Sequence, residues 1–233
     1  AIVTFLMAKD RGVPLSLLPV VLLARFQQPY IVYDANRRTL EPRDLEGCRI
    51  GMRSWTVTTA VWIRSILADD YGVDLDRISW VTFEDAHVAG FADPPRVERA
   101  RPGQDLIAML KAGDIDAAIV GAPIDHPTIV PLLPSPADAA AAWQRKYGAI
   151  QVNHLLAVRS EICSAQPDTV REVYRLLLES KRAAGLPQSG AVDLNPIGLE
   201  VNRRNLEVAV DKTYRQGLIS RPMSVDSLIC DVI

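Results

Sequence analysis

Apolar residues fall along this chain in short blocks broken by charged or glycine-containing turns, the pattern of alternating strands and helices in an α/β protein. Ala1 to Leu6 reads as a buried strand and Met7 to Gly12 as a polar turn. Leu15 to Ala24 and Tyr30-Ile31-Val32-Tyr33 read as two neighbouring strands, with Arg25 between them. A short apolar strand beginning after Gly47 runs into Ser54-Trp55-Thr56-Val57-Thr58-Thr59. These polar residues open a helix in which Val61, Trp62, Leu67 and Ala68 face a core and which Gly72 stops. Ile78 to Phe83 is the next strand, and the β-α-β order predicts a parallel unit.

Pro94, Pro95 and Pro102 make Glu84 to Gly103 irregular, with His87 at its start. Gln104 to Lys111 reads as a helix, Asp116 to Val120 as a buried strand running into Gly121, and Ile129 to Leu133 as a strand. The spacing then predicts a helix over Ala137 to Arg145, a strand over Val152 to Val158, and helices over Asp168 to Ala183 and Asn205 to Gln216. Two candidate linkers, Asp34 to Asp44 and the stretch before Val152, divide the chain into a discontinuous lobe of 1–44 with 151–233 and an inserted lobe of 45–150. Ligands in open α/β sheets bind beyond the carboxyl ends of strands. The expected site is therefore a hinged cleft lined by Arg25, the Ser54–Thr59 turn, Gly121 and Asn153–His154.

Charge narrows the range of partners. The 26 Lys and Arg against 28 Asp and Glu leave a net charge of −2, so no global field draws nucleic acid. The longest apolar run, Val13 to Phe26, is broken by Pro14, Pro19 and Arg25, and no membrane insertion is expected. Cys48, Cys163 and Cys230 are widely separated and odd in number, which fits reduced, buried thiols. The chain opens on Ala-Ile-Val-Thr-Phe-Leu without an initiator Met and reads as the interior of a domain.

The chemistry concentrates at the strand-to-helix turn. Ser54, Thr56, Thr58 and Thr59 are all candidate caps. Hydroxyls not used for capping, with the free N–H groups and the positive end of the helix dipole, would bind an anion such as a carboxylate. Arg25 and Arg53 are the candidate carboxylate ligands, Arg64 adds charge nearby, and Trp55 is placed to stack on an aromatic ligand. His87, His126 and His154 each fall near a strand boundary. His154, beside Asn153, is the first candidate for proton transfer and His87 the second. Their separations match no compact ligand motif, so neither a metal nor another cofactor is implied.

The combination Leu45-Glu46-Gly47-x-Arg49-Ile50-Gly51, Thr59-Ala60-Val61-Trp62-Ile63-Arg64, Asp70-Tyr71-Gly72-Val73 and Ile78-Ser79-Trp80 resembles the 4,5-dihydroxyphthalate decarboxylase family. Met109 to Ala117, Asn153-His154 and Gly198-Leu199-Glu200-Val201-Asn202-Arg203 are similar to it as well. The resemblance implies a type 2 periplasmic-binding-protein fold of two α/β lobes with two crossovers, and a chain that lacks the family's opening strand and helix region. It also implies a cytoplasmic carboxy-lyase acting on a small aromatic dicarboxylate. The fold is shared with non-catalytic solute receptors, so a periplasmic carboxylate-binding protein is the alternative, and oligomerisation stays open.

Overall fold

The computed structural model describes residues 1–232, and the chain forms two compact units. The first comprises Ala1–Arg25 and the chain from Tyr147 onward; the second is Phe26–Lys146. Residues 26–44 thus lie in the inserted unit, whereas the charged stretch at Asp34–Asp44 reads from sequence as the boundary. The cause is strand pairing, because Tyr33 pairs with Ala117 on one side and Val130 on the other.

In chain order the first unit opens with helix α1 (Ile2–Asp10) and strand β1 (Leu15–Ala24). The second unit follows with β2 (Ile31–Asp34), β3 (Arg49–Met52), α2 (Thr58–Tyr71), β4 (Ser79–Thr82), β5 (Val97–Arg99), α3 (Leu106–Ala112), β6 (Ala117–Ile119), β7 (Ile129–Pro131) and α4 (Pro136–Tyr147). The chain then returns through β8 (Val152–Arg159), α5 (Ser160–Ala165), α6 (Pro167–Ala183) and α7 (Leu199–Arg215).

In the first unit, β1 and β8 form a two-stranded antiparallel sheet whose register shifts repeatedly between Leu18 and Ala24. The opening segment is a helix, not the strand that its apolar run suggests. Ile2, Val3, Phe5, Leu6 and Met7 are all buried, and a run apolar on every side carries no period that separates helix from strand. Nor are β1 and β2 neighbours, since each pairs within a different sheet.

Cys163 and Cys230 are joined in a disulfide within the cluster that holds Leu18, Val20 and Val170, and Cys48 alone is a free buried thiol. The expectation of three reduced cysteines is corrected for this pair. Proximity across 67 residues of chain is set by the packing of α5 and the C-terminal segment and leaves no trace in local spacing.

The second unit is built on a six-stranded mixed sheet in the order β5-β4-β3-β6-β2-β7. Strands β5, β4, β3 and β6 run parallel, while β2 is antiparallel to both β6 and β7. The parallel β3-α2-β4 unit anticipated from the sequence is present. A Cβ at Gly51 would stand 2.5 Å from Leu106 Cδ1 and 2.7 Å from Ile115 Cδ1, so any larger residue there would have to displace those two side-chain ends. Gly72, at φ 65°, closes α2 in the left-handed conformation, its N–H bonding to the Ala68 carbonyl. The buried face of α2 packs Trp62 edge-on against Trp143 of α4, with ring centroids 5.8 Å apart. Among the described residues no helix is long and apolar enough to cross a membrane.

Candidate functional site

Register fixes where the polar turn sits. Met52 of β3 pairs with Thr82 of β4 and with Ile119 of β6, so the carboxyl ends of three parallel strands lie along one edge of the sheet. The segments leaving that edge are Arg53–Val57, Phe83–His87 and Val120–Gly121, the place where open α/β sheets bind ligands. Backbone bonds clamp the first two together. The Arg53 carbonyl accepts from both Phe83 N–H (3.0 Å) and Glu84 N–H (2.7 Å), and Thr56 Oγ1 accepts from His87 N–H (3.3 Å).

None of the four hydroxyl residues occupies the N-cap position of α2. That position is Val57, in an extended conformation, which makes no side-chain cap hydrogen bond. The cap position of this 14-residue helix therefore supplies none of the side-chain acceptors expected for an ordinary capped start. Around this start lie buried polar residues. Ser54 and Thr56 are fully buried, and Trp55, Thr58 and Thr59 nearly so. Ser54 Oγ, Trp55 Nε1 and Thr58 Oγ1 make no hydrogen bond. Leaving a buried donor or acceptor unsatisfied costs about 1–3 kcal/mol, so three at one helix start are a large cost for a purely structural turn.

Beneath the turn lies a buried cation. Arg64 is 1% exposed, its guanidinium 3.8 Å from the Trp55 ring centroid, and it donates to the Trp55 carbonyl at 2.9 Å and to Met52 Sδ at 3.4 Å. Burial pushes its pKa down to about 9, with the Arg96 charge adding to the shift and Asp93 opposing it. Trp55, meanwhile, has Arg64 over its ring and Trp80 against it with centroids 5.9 Å apart. At 3% exposure its ring is not offered for stacking on a ligand, which corrects that expectation.

At the rim, Arg53, Glu84 and His87 form an exposed cluster. Arg53 Nε lies 2.9 Å from Glu84 Oε2, and Arg53 Nη2 lies 3.1 Å from His87 Nε2, which is 3.6 Å from the same carboxylate oxygen. Because a guanidinium only donates, His87 Nε2 is the acceptor and its ring proton belongs on Nδ1. Glu84 was not singled out by any motif; its place after a strand end, opposite Arg53, was the available signal.

The other candidates divide between the two units. Gly121 follows β6 at the same edge as Ser54, with open space where a Cβ would be. His126 bonds through Nδ1 with Thr128, next to Asp34 and so at the opposite edge of the sheet. In the first unit, Arg25 N–H donates to Gln151 O, Asn153 is buried, and His154 is exposed on β8 opposite Leu23. Desolvation holds the His154 pKa below the usual histidine value, and Arg25 adds to the shift. Its ring makes no hydrogen bond to the backbone among the described residues, so it does not act as a tie between strands. Among the described residues no cluster of three or more His, Cys, Asp or Glu is arranged to hold a metal ion.

The chain is similar to known proteins in sequence over part of its length and in fold over most of it. No protein-family model matches it. It is 30% identical over 189 residues to a 4,5-dihydroxyphthalate decarboxylase from Comamonas testosteroni, a match covering 73% of this chain and 56% of that protein. It is 31% identical over 133 residues to the protein of the same name from Pseudomonas putida, covering 49% of each. The chain thus spans about half the length of the curated relatives it matches. Among solved structures, the alkanesulfonate-binding protein SsuA from Xanthomonas axonopodis pv. citri, bound to MOPS, superposes with a TM-score of 0.53 at 14% identity, covering 96% of this chain and 76% of that one. The chain is a relative of the 4,5-dihydroxyphthalate decarboxylase family and has the periplasmic-binding-protein fold.

Proposed function

We propose that the protein binds an aromatic dicarboxylate at the amino terminus of α2 and decarboxylates a hydroxylated one such as 4,5-dihydroxyphthalate. The observation that carries the binding half is the set of buried, unpartnered Ser54 Oγ, Trp55 Nε1 and Thr58 Oγ1 around a helix start without a side-chain cap. A carboxylate has about four acceptor sites over its two oxygens, enough to take hydroxyl, indole N–H and first-turn N–H donors together. Thr59 and Gly121 complete the lining, and Arg53 supplies the cation at the rim. The catalytic half comes from the relatives' name.

In such a substrate each hydroxyl is para to one carboxylate. Withdrawing the phenolic proton pushes electron density onto the carbon bearing that carboxylate. A proton is then delivered to this carbon, and its bond to the carboxylate breaks to release carbon dioxide and restore the ring. His154 and His87 are proposed for the proton transfers. Desolvation disfavours the charged form of His154, which suits the ring to the base role. Arg25 and Asn153 are proposed to bind substrate groups beside it. The enzyme reading places the protein in the cytoplasm, without a cofactor.

One observation favours the second reading, a periplasmic carboxylate receptor. The Cys163–Cys230 disulfide is of a kind that persists in oxidising compartments and is rare in the cytosol. Incubation with a panel of hydroxylated phthalates separates the two. Carbon dioxide release from any member establishes a lyase, whereas calorimetric binding with no release establishes a receptor.

A further inference from the structure

The rim cluster holds a carboxylate already. Glu84 Oε2 occupies Arg53 Nε at 2.9 Å, at the edge of the turn where the unpartnered groups of Ser54, Trp55 and Thr58 wait for an anion. We propose that Glu84 is a resident competitor, occupying Arg53 until the second carboxylate of a dicarboxylate ligand displaces it, and that it thereby sets selectivity between dicarboxylates and monocarboxylates. This rests on the carboxylate-binding reading of the α2 turn and does not depend on catalysis.

Three features make the exchange cheap and local. The pair is exposed, with side-chain exposures of 58% for Arg53 and 53% for Glu84, and ion pairs of that kind contribute little net stability. The backbone beneath is fixed independently of the side chains, since the Arg53 carbonyl holds both the Phe83 and Glu84 N–H groups. Glu84 can therefore swing away without loosening the loop. His87 keeps Arg53 aimed during the exchange, because its Nε2 accepts from Nη2 while Nε, the atom that Glu84 holds, becomes available.

Selectivity follows from charge. A monocarboxylate seated at the α2 terminus leaves the Arg53–Glu84 pair intact. The second carboxylate of a phthalate must lie beside Glu84, which repels it, or replace it. Replacement exchanges one carboxylate on Arg53 for another, and the expelled Glu84 regains its hydration. Glu84 thus taxes dicarboxylate binding and leaves monocarboxylate binding nearly untouched.

The test compares phthalate and benzoate binding by calorimetry in the wild type, Glu84→Gln and Asp85→Asn. Asp85→Asn removes one negative charge from the adjacent residue, which pairs with Arg99 instead. Glu84→Gln is expected to bind phthalate about fivefold tighter, the scale of an exposed ion pair, with benzoate changed less than twofold. Asp85→Asn is expected to shift the ratio of the two affinities by less than twofold. Equal gains for both ligands, a ratio shift in Asp85→Asn matching that of Glu84→Gln, or weaker phthalate binding in Glu84→Gln would each overturn the competitor role. Failure of every variant to bind either ligand would overturn the carboxylate-site reading along with it. Absence of carbon dioxide release from the panel of hydroxylated phthalates, with the expected shift intact, would sink only the lyase reading.

Discussion

Two buried polar clusters, one in each unit, are alike in burial and behave differently in their hydrogen bonding. In the first unit, the fully buried Asn202 donates from Nδ2 to the carbonyls of Gly198 (2.9 Å), Pro196 (3.0 Å) and Pro19 (3.3 Å) and accepts at Oδ1 from Asn205. Asn205 Oδ1 in turn accepts from Ile150 N–H at 2.9 Å. Its polar groups are spent on holding the Pro196–Gly198 loop against β1. In the second unit, Ser54 Oγ, Trp55 Nε1 and Thr58 Oγ1 are equally buried and spend nothing. Since unpaired buried groups destabilise a fold, the first cluster reads as structure and the second as a binding site waiting for its ligand. Burial alone does not tell them apart; the hydrogen-bond ledger does.

The sharpest way to break the contrast is through Asn202. Asn202→Ala removes the amide that donates to the carbonyls of Pro196, Gly198 and Pro19, of which Pro196 and Pro19 keep backbone donors in Val21 and Gly198, and leaves the Asn205 amide without its acceptor; it is expected to cost about 1–3 kcal/mol. Urea unfolding measures it, and a loss below about 0.5 kcal/mol would mean that the network is not structural. His154→Gln comes next. It removes the titratable ring but keeps hydrogen-bonding capacity, and carbon dioxide release is expected to fall about 100-fold while ligand affinity and melting temperature hold. Unaltered turnover would pass the base role to His87.

The double substitution Ser54→Ala, Thr58→Val tests the other cluster directly. Carboxylate affinity should drop at least about tenfold, the scale of one charge-assisted hydrogen bond. Stability should stay level or rise, because two unsatisfied hydroxyls leave the interior. A loss of stability comparable to that of Asn202→Ala would show that both clusters are structural.

Much of this was legible in the sequence because it is local. The β3-α2-β4 unit announces itself through a short apolar run, Gly51, a polar turn, an apolar helix face and Gly72. The position of Ser54 and Gly121 at strand carboxyl ends follows from the same reading. What escaped was set at a distance. The Ala1–Leu6 run is apolar but for Thr4 and too short to show a period, so its helix is decided by packing. The partners of β1 and β2 lie more than a hundred and about ninety residues away along the chain, on β8 and β6. Which hydroxyl caps α2 depends on the turn's backbone, which makes Val57 the N-cap and withdraws all four. Trp55 looked like a stacking platform because nothing local reveals that Arg64 folds back over it. Glu84 became visible only when the parallel pairing of β3 and β4 set it against Arg53.

The smallest expected effect belongs to His154, the site candidate whose ring is tied by no hydrogen bond, in contrast to the bonded Asn202 and Asn205. Its pKa lies below the ordinary histidine value, chiefly from desolvation, with Arg25 contributing. In the unfolded chain the ring takes up its proton near pH 6.5. Between that pH and the lower folded value the unfolded state binds more protons, so stability rises with pH across this window. The contribution is therefore fully present above about pH 6.5 and is lost as the pH falls through the folded pKa. Thermal unfolding of the wild type should show a modest decline from pH 7 to pH 5 that is shallower in His154→Gln, while the two proteins agree at pH 8. Superimposable profiles would show that the ring is as well solvated in the folded chain as in the unfolded one. The base role proposed for His154 would then lose its electrostatic support, leaving turnover in the Gln variant as the remaining evidence.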